Sequence, residues 1–353
     1  MIEKKILRWS SVVILGVMIA TFVFLHYYPM IQMSYSVVED LEDESSPGTK
    51  QLANSKAPET VVENREELQG KLKMELPDDV AGPAVTVENH YLEQTVYVKF
   101  PTTCADYFSE YSLQGSSDTI SSIGYYTEDG VGVMAIQMSR LYEVEHQFEK
   151  GSVYLTFVDP HDIYDKVIVV DAGHGTGAKG GATMAGVDEA ELNLAIVLQL
   201  KKLLDASDLN IGVYYTRLNE WDVSLQDRAR LANAAHADLF ISVHNNAYQS
   251  DHWSYINGTS VLYSQSDNAE HNSKRFAELC LNHLLKELGS NRRGLVEGDS
   301  KYIIRTAECP VALVEIGYMT NRDEFNKLVT PEYQKKAARA IYNAMVQAFE
   351  EGF

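Results

Sequence analysis

Cysteine is scarce in this chain: Cys104, Cys280 and Cys309 are the three. An odd number without CxxC spacing supports neither a disulfide framework nor a thiolate zinc site. Buried free thiols are the expected state, with a Cys280–Cys309 bridge as the alternative. Basic residues are also in short supply, 30 Lys and Arg against 50 Asp and Glu, for a formal net charge of −20. That balance argues against nucleic acid as a partner, because neutralising phosphates takes clustered Lys and Arg. It also repels anionic lipids and wall polymers at long range unless cations intervene. No internal repeat is present. What remains is an ordinary globular composition, 353 residues with 45% hydrophobic and 23% charged, enough for two modest domains and flanking segments.

Four stretches follow one another. Residues 1–33 carry Lys4, Lys5 and Arg8 ahead of an apolar run from Ser10 to Tyr28. At ~1.5 Å per residue the run nearly spans a ~30 Å hydrocarbon core. Basic residues before it and acidic ones after it predict a single-pass anchor in the cytoplasmic membrane, with the rest of the chain on the outer, cell-wall side. A cleaved signal peptide, giving a secreted protein, is the alternative. Residues 34–83 read as an acidic flexible tether, since Glu39–Gly48 is charged, turn-rich and free of aromatics and buries too little to offset its ordering entropy. Within it, 62–75 have the composition of a short charged helix. Residues 84–160 are strand-like and suggest a small all-β module of sandwich kind. TVYVKF (95–100), VGVMAIQM (131–138) and VYLTFV (153–158) are its clearest strands, with turns at Glu128–Gly130 and Lys150-Gly151. Its aromatics (Tyr107, Phe108, Tyr111, Tyr125 and Tyr126) are expected in a core rather than on a sugar platform. No paired carboxylates, metal spacing or nucleophile elbow occur in it.

From 161 to 353 strands and helices alternate, predicting an α/β domain with a twisted, largely parallel sheet flanked by helices. The β-rich runs are 166–171, 211–216, 238–243, 259–263 and 311–316, several of them apolar throughout, as strands buried on both faces are. Between them Leu192, Ile196, Leu200 and Leu203 form one helical stripe. Residues 225–234 and 273–288 read as further helices. A last helix opens at Pro331 with Ala337, Ile341, Met345 and Phe349 inward.

In open α/β sheets sites form beyond the carboxyl ends of strands. After the first strand comes Gly173-His174-Gly175, and the strand 238–243 is followed by His244-Asn245-Asn246. Glu189 opens the Leu192 helix, and Glu315 lies inside the apolar run Pro310–Gly317. Two histidines and one acid are the protein ligand set of a catalytic Zn2+ that keeps a fourth position for water. Glu315, costly to bury unless paired or aimed into a cleft, is then free for general-base work. A lone histidine after a strand is usually an ordinary loop residue. Two of them with two placed acids are not so easily dismissed.

The motifs VDAGHG (170–175), EAELNL (189–194), Thr216-Arg217, SVHNNA (242–247) and LVEIGYMTN (313–321) occur together and in order. They resemble those of the zinc-dependent N-acetylmuramoyl-L-alanine amidases with the type 3 catalytic domain, over about residues 166–349. The resemblance implies His174, Glu189 and His244 as zinc ligands, Glu315 as the catalytic glutamate, and Arg217, Asn246 and Asn321 as supporting residues. It implies cleavage of peptidoglycan at the bond between N-acetylmuramic acid and L-alanine. Departures are the stretch Thr176–Gly181, which lacks the family's common Asp-Pro-Gly, and Asn245 in place of alanine. Tyr318 and Thr320 are conservative replacements. Only Tyr248–Asn257 separates Ala247 from the next strand, too short for the zinc-blocking helical insertion of some relatives. Other readings are a zinc peptidase cutting elsewhere in the stem peptide, and an inactive or regulatory cell-wall binding protein built on an amidase domain; peptidoglycan is the expected partner, with an unidentified activator as a further candidate.

Overall fold

In the computed structural model, residues 55–353 are described except 105, 176–180, 249–251 and 267–270. The first nine strands are β1 (Val62–Asn64), β2 (Lys71–Glu75), β3 (Thr86–His90), β4 (Thr95–Phe100), β5 (Leu113–Gly115), β6 (Ile120–Glu128), β7 (Val131–Met138), β8 (Glu143–Glu149) and β9 (Ser152–Val158). Two hairpins follow from local chemistry. Asp129-Gly130 and Lys150-Gly151 place successive residues at φ 51° and 81°, and 47° and 74°, as a two-residue type I′ turn requires. They close β6 on β7 and β8 on β9. The strands form two sheets, ordered β1-β5-β2-β9-β8 and β3-β4-β7-β6. Leu72, Met74, Val153 and Leu155 of the first share one core with Val96, Val98, Ile123, Met134 and Ile136 of the second, which makes a sandwich. Tyr107 and Tyr125 are buried in that core, where Tyr125 stacks on Phe100, while Phe108 and Tyr111 pack against its edge.

The charged helix expected over 62–75 does not form. Leu72 and Met74 alternate with Lys71, Lys73 and Glu75, and this period of two suits a half-buried strand. β2 lies between β5 and β9. The module therefore begins well before residue 84, and 55–83, expected as tether, belong to it. Residues 34–54 and the membrane helix expected within 1–33 lie outside the described residues. Among the described residues no helix is long and apolar enough to cross a membrane.

The second part runs β10 (Lys166–Ala172), β11 (Thr183–Met184), β12 (Val187–Asp188), α1 (Glu189–Asp205), β13 (Ile211–Tyr215), α2 (Leu225–Ala234), β14 (Leu239–Asn246), β15 (Thr259–Tyr263), α3 (Ser273–Leu288), β16 (Arg292–Glu297), α4 (Tyr302–Thr306), β17 (Val311–Tyr318), α5 (Arg322–Leu328) and α6 (Pro331–Glu350). The six-stranded sheet is ordered β13-β10-β14-β17-β15-β16. Every pairing is parallel except β15 with β17. Alternation sends Ile168, Val170 and Ala172 to a core built with α1, α3 and α6. Val167, Val169, Phe240 and Leu313 point the other way, to a core with Leu231 and Ala232 of α2 and Ile303 and Ile304 of α4. Cys280 lies in the first core and Cys309 in the second, so the sheet separates them and both are free. Leu204, rather than Leu203, completes the buried stripe of α1.

The sandwich is seated on the second core. Leu141 is buried there, and its N–H donates to Ala234 O at 3.0 Å. Glu143 accepts from the Tyr91 hydroxyl at 2.7 Å and from the Tyr214 hydroxyl at 2.6 Å, joining the two parts through one carboxylate.

Candidate metal centre

Three side chains converge above the carboxyl ends of β10 and β14. His174 Nε2 and His244 Nδ1 lie 3.3 Å and 3.0 Å from Glu189 Oε1. The donor atoms of the three all fall within 4.8 Å of one another. Each is positioned by its element. His174 sits two residues beyond β10 with φ 60°, a left-handed conformation held between two close-packed glycines. A Cβ on Gly173 would stand 2.2 Å from His244 Nε2, and one on Gly175 would stand 2.5 Å from Asp222 Cα. His244 lies within β14 and is the register partner of Glu315 on β17. Glu189 is the first residue of α1, where the helix dipole favours an ionised carboxylate.

Glu189 is buried and accepts from two backbone N–H groups. Its Oε2 accepts from Ala182 N at 3.2 Å and its Oε1 from Asn245 N at 3.1 Å. Burial alone would raise its carboxyl, but His174 and then His244 overcome this and hold it well below the ordinary value. Burial lowers His244, with Glu189 opposing. Asn245 Nδ2 donates to Asn193 Oδ1 at 2.8 Å, and Asn193 Nδ2 to Gly173 O at 3.1 Å. The unusual asparagine thus extends an amide chain beneath the cluster.

Glu315 stands beside the cluster. Its Oε2 is buried without a hydrogen-bond partner. Burial, then the charge of Glu189, push its carboxyl up to about 8, against the pull of Lys301. An uncompensated buried carboxylate is costly unless a cation or substrate meets it.

The remaining expected residues lie outside the cluster. Arg217 Nε donates to Ala172 O at 2.7 Å, and Nη2 donates to Gly173 O and Ala190 O at 2.9 Å each. It clamps the His174 loop to the start of α1. Asn246 is half-buried where β14 shifts register against β17. Asn321 caps α5 through Asp323 N and Glu324 N and donates to Ser254 O at 3.3 Å. Of the altered stretch 176–181, residues 176–180 lie outside the described residues.

Sequence reasoning missed Arg228. It donates through Nε to Val223 O at 3.0 Å, through Nη1 to Ala172 O at 2.9 Å and the Asp171 carboxylate, and through Nη2 to His174 O at 2.8 Å. The available signal was an arginine on the buried stripe of α2, between Leu225 and Leu231.

The family profile described as N-acetylmuramoyl-L-alanine amidase matches residues 168–347. This chain belongs to that family. Among its relatives is an uncharacterised Bacillus subtilis protein, YqiI, 34% identical over 189 residues that cover 54% of this chain and 87% of that one. The N-acetylmuramoyl-L-alanine amidase LytC of Bacillus subtilis is 36% identical over 187 residues, covering 53% of this chain and 36% of LytC. A crystal structure of an N-acetylmuramoyl-L-alanine amidase from Clostridium difficile 630 superposes with a TM-score of 0.50 at 27% identity, over 53% of this chain and 98% of that one. The amidase match falls on the α/β part and stops short of the sandwich. The chain is accordingly a hydrolase with an amidase domain of peptidoglycan-cleaving type.

Proposed function

We propose that His174, Glu189 and His244 hold a zinc ion and that Glu315 is the catalytic acid–base in cleavage of the bond between N-acetylmuramic acid and L-alanine. The observation that carries this reading is the convergence of two imidazole nitrogens and one carboxylate oxygen within 4.8 Å, with Glu315 in register beside them. The donor set fits zinc: three N and O ligands, with room for a fourth. When bound, zinc supplies Lewis-acid chemistry that polarises a carbonyl and lowers the pKa of water from 15.7 to about 7.

The chain's own groups do the rest. Glu189 stays ionised, as a ligand must. Glu315, ionised once a cation at the cluster offsets the charge of Glu189, takes a proton from the attacking water and delivers it to the departing nitrogen. A carbon–oxygen bond forms, the amide carbon–nitrogen bond breaks, and the products are a muramic acid carboxylate and a peptide with a free L-alanine amine. Arg217 and Arg228 fix the backbone carrying His174 and act by positioning. The basic, then apolar N-terminal run supports an enzyme anchored in the cytoplasmic membrane and facing the wall, where its polymer lies.

The test uses isolated peptidoglycan and mass analysis of the released peptides. Wild-type protein should release peptides beginning with L-alanine, lose this on chelation and regain it with zinc. Glu315→Ala should bind zinc and release none. Peptides cut elsewhere in the stem would sink the assignment, and zinc binding without release by wild type would leave a wall-binding protein.

A further inference from the structure

Trp221 is 75% exposed, and its loop is tied to the metal cluster. Arg217 Nη1 donates to Asn219 O at 2.9 Å, and Asn219 Oδ1 accepts from Trp221 N at 2.9 Å. The other arm of the same guanidinium holds Gly173 O. On the near side, Gly175 lies so close that a Cβ there would stand 2.6 Å from Trp221 O. One arginine therefore references both His174 and an exposed indole to the same frame. Beyond the cluster, Tyr255 is 87% exposed. Its neighbour Ser254 is bound through Thr320 O at 2.7 Å to the segment that follows β17. In sheet order the indole lies on the β13 side of His174, and the Tyr255 loop on the β17 side.

We propose that Trp221 is a glycan subsite that stacks on a pyranose ring of the peptidoglycan strand, with Tyr255 lining the opposite bank. The inference rests on the amidase reading. If the scissile carbonyl belongs to a lactyl group on a sugar, that sugar must lie within a few bonds of the cluster. The apolar C–H face of a pyranose matches an indole face, in the way aromatic faces meet apolar and partly positive edges. Asp222 follows Trp221 and disfavours the carboxylates of a stem peptide or an anionic lipid beside it. A neutral ring carries no such penalty. Because the loop is already fixed by Arg217 and Asn219, little ordering cost is added on binding.

The experiment measures binding of a soluble tetramer of alternating N-acetylglucosamine and N-acetylmuramic acid, without stem peptides and with each lactyl carboxyl capped as its neutral methylamide, to full-length metal-free protein. Calorimetry gives the affinity, and tryptophan fluorescence follows the wild type. Trp221→Ala should weaken tetramer binding on the order of tenfold and raise KM for peptidoglycan in the zinc-loaded enzyme. Trp221→Phe should recover most of both. Binding of a free stem peptide should be the same in all three proteins, as should their melting temperatures. Three results overturn the proposal: tetramer affinity unchanged in Trp221→Ala, a loss of stem-peptide binding instead, or no tetramer binding by a wild type that cleaves the polymer. Failure of the amidase reading is separate, since it shows as no L-alanine-terminated peptide from zinc-loaded wild type.

Discussion

Asp171 is buried to 0% exposure among apolar strands. It is satisfied there by Thr216 Oγ1 and Ser242 Oγ, each donating at 2.6 Å, and by Arg228. Burial alone would raise its carboxyl. Arg228, then Ser242 and Thr216, reverse this and hold it below its ordinary 3.8. Through Arg228 this carboxylate supports the carbonyls of Ala172 and His174, so it fixes the cluster without touching it. Asp171→Asn leaves a buried guanidinium without its counter-charge, at a cost of about 3–5 kcal/mol at neutral pH. A group with a depressed folded pKa contributes stability that is present above its unfolded value and lost as pH falls through the folded one. Denaturant unfolding of the metal-free proteins should therefore show a gap between wild type and Asp171→Asn that is constant above about pH 5 and narrows below about 4. A gap that persists or widens in acid would contradict the ion-pair account. In the sequence Asp171 was visible as the end of a strand and as part of the VDAGHG motif, without a role of its own. What it pairs with is 57 residues away, and no local spacing reports that.

At the scale of elements, the legible parts are those whose pattern repeats. β4, β7, β15 and α3 lie where period and turn residues put them. β2 was misread because its outward Lys71, Lys73 and Glu75 dilute two apolar residues into what resembles an exposed helix. β16 carries Arg292 and Arg293 on a half-exposed edge and gives no alternation at all. α5 is short, and its start depends on the Asn321 cap and on Glu324, whose Oε2 accepts from Tyr318 N at 2.7 Å and whose Oε1 accepts from Gly258 N at 2.9 Å. The start of the His174 loop tolerates little change. A Cβ on Gly173 would meet the His244 ring at 2.2 Å, too close to be absorbed without moving that imidazole, the zinc ligand we propose. Gly173→Ala should cost about 1–3 kcal/mol as overpacking and weaken zinc roughly 10–100-fold by displacing His244. Competition against a chelator of known affinity measures the second effect. Unchanged zinc affinity would place His244 outside the metal's ligand set.

For the whole molecule, the sandwich is more than a spacer strung ahead of the amidase domain. Leu141 completes the core beneath β10 and β14. Glu143 satisfies one tyrosine from each part, and Tyr91 packs edge-on against Tyr214 at 5.0 Å. Arg230 of α2 reaches back to Leu92 O at 3.1 Å. A domain boundary at 160, natural from the change of strand pattern, ignores these contacts because each is made by residues far apart in sequence. Removing the Glu143 carboxylate leaves two part-buried hydroxyls without their acceptor, and Glu143→Ala should cost about 1–3 kcal/mol. A fragment of residues 161–353 loses Leu141 as well, and exposes the apolar face around Tyr214, Leu231 and Ala235. Compared with residues 55–353, it should melt lower and associate more readily through that face. Scanning calorimetry with light scattering reads both quantities. Equal melting and a monodisperse fragment would mean that the two parts are energetically independent. A lower melting point reproduced by Glu143→Ala in the longer protein would assign the loss to this contact rather than to truncation.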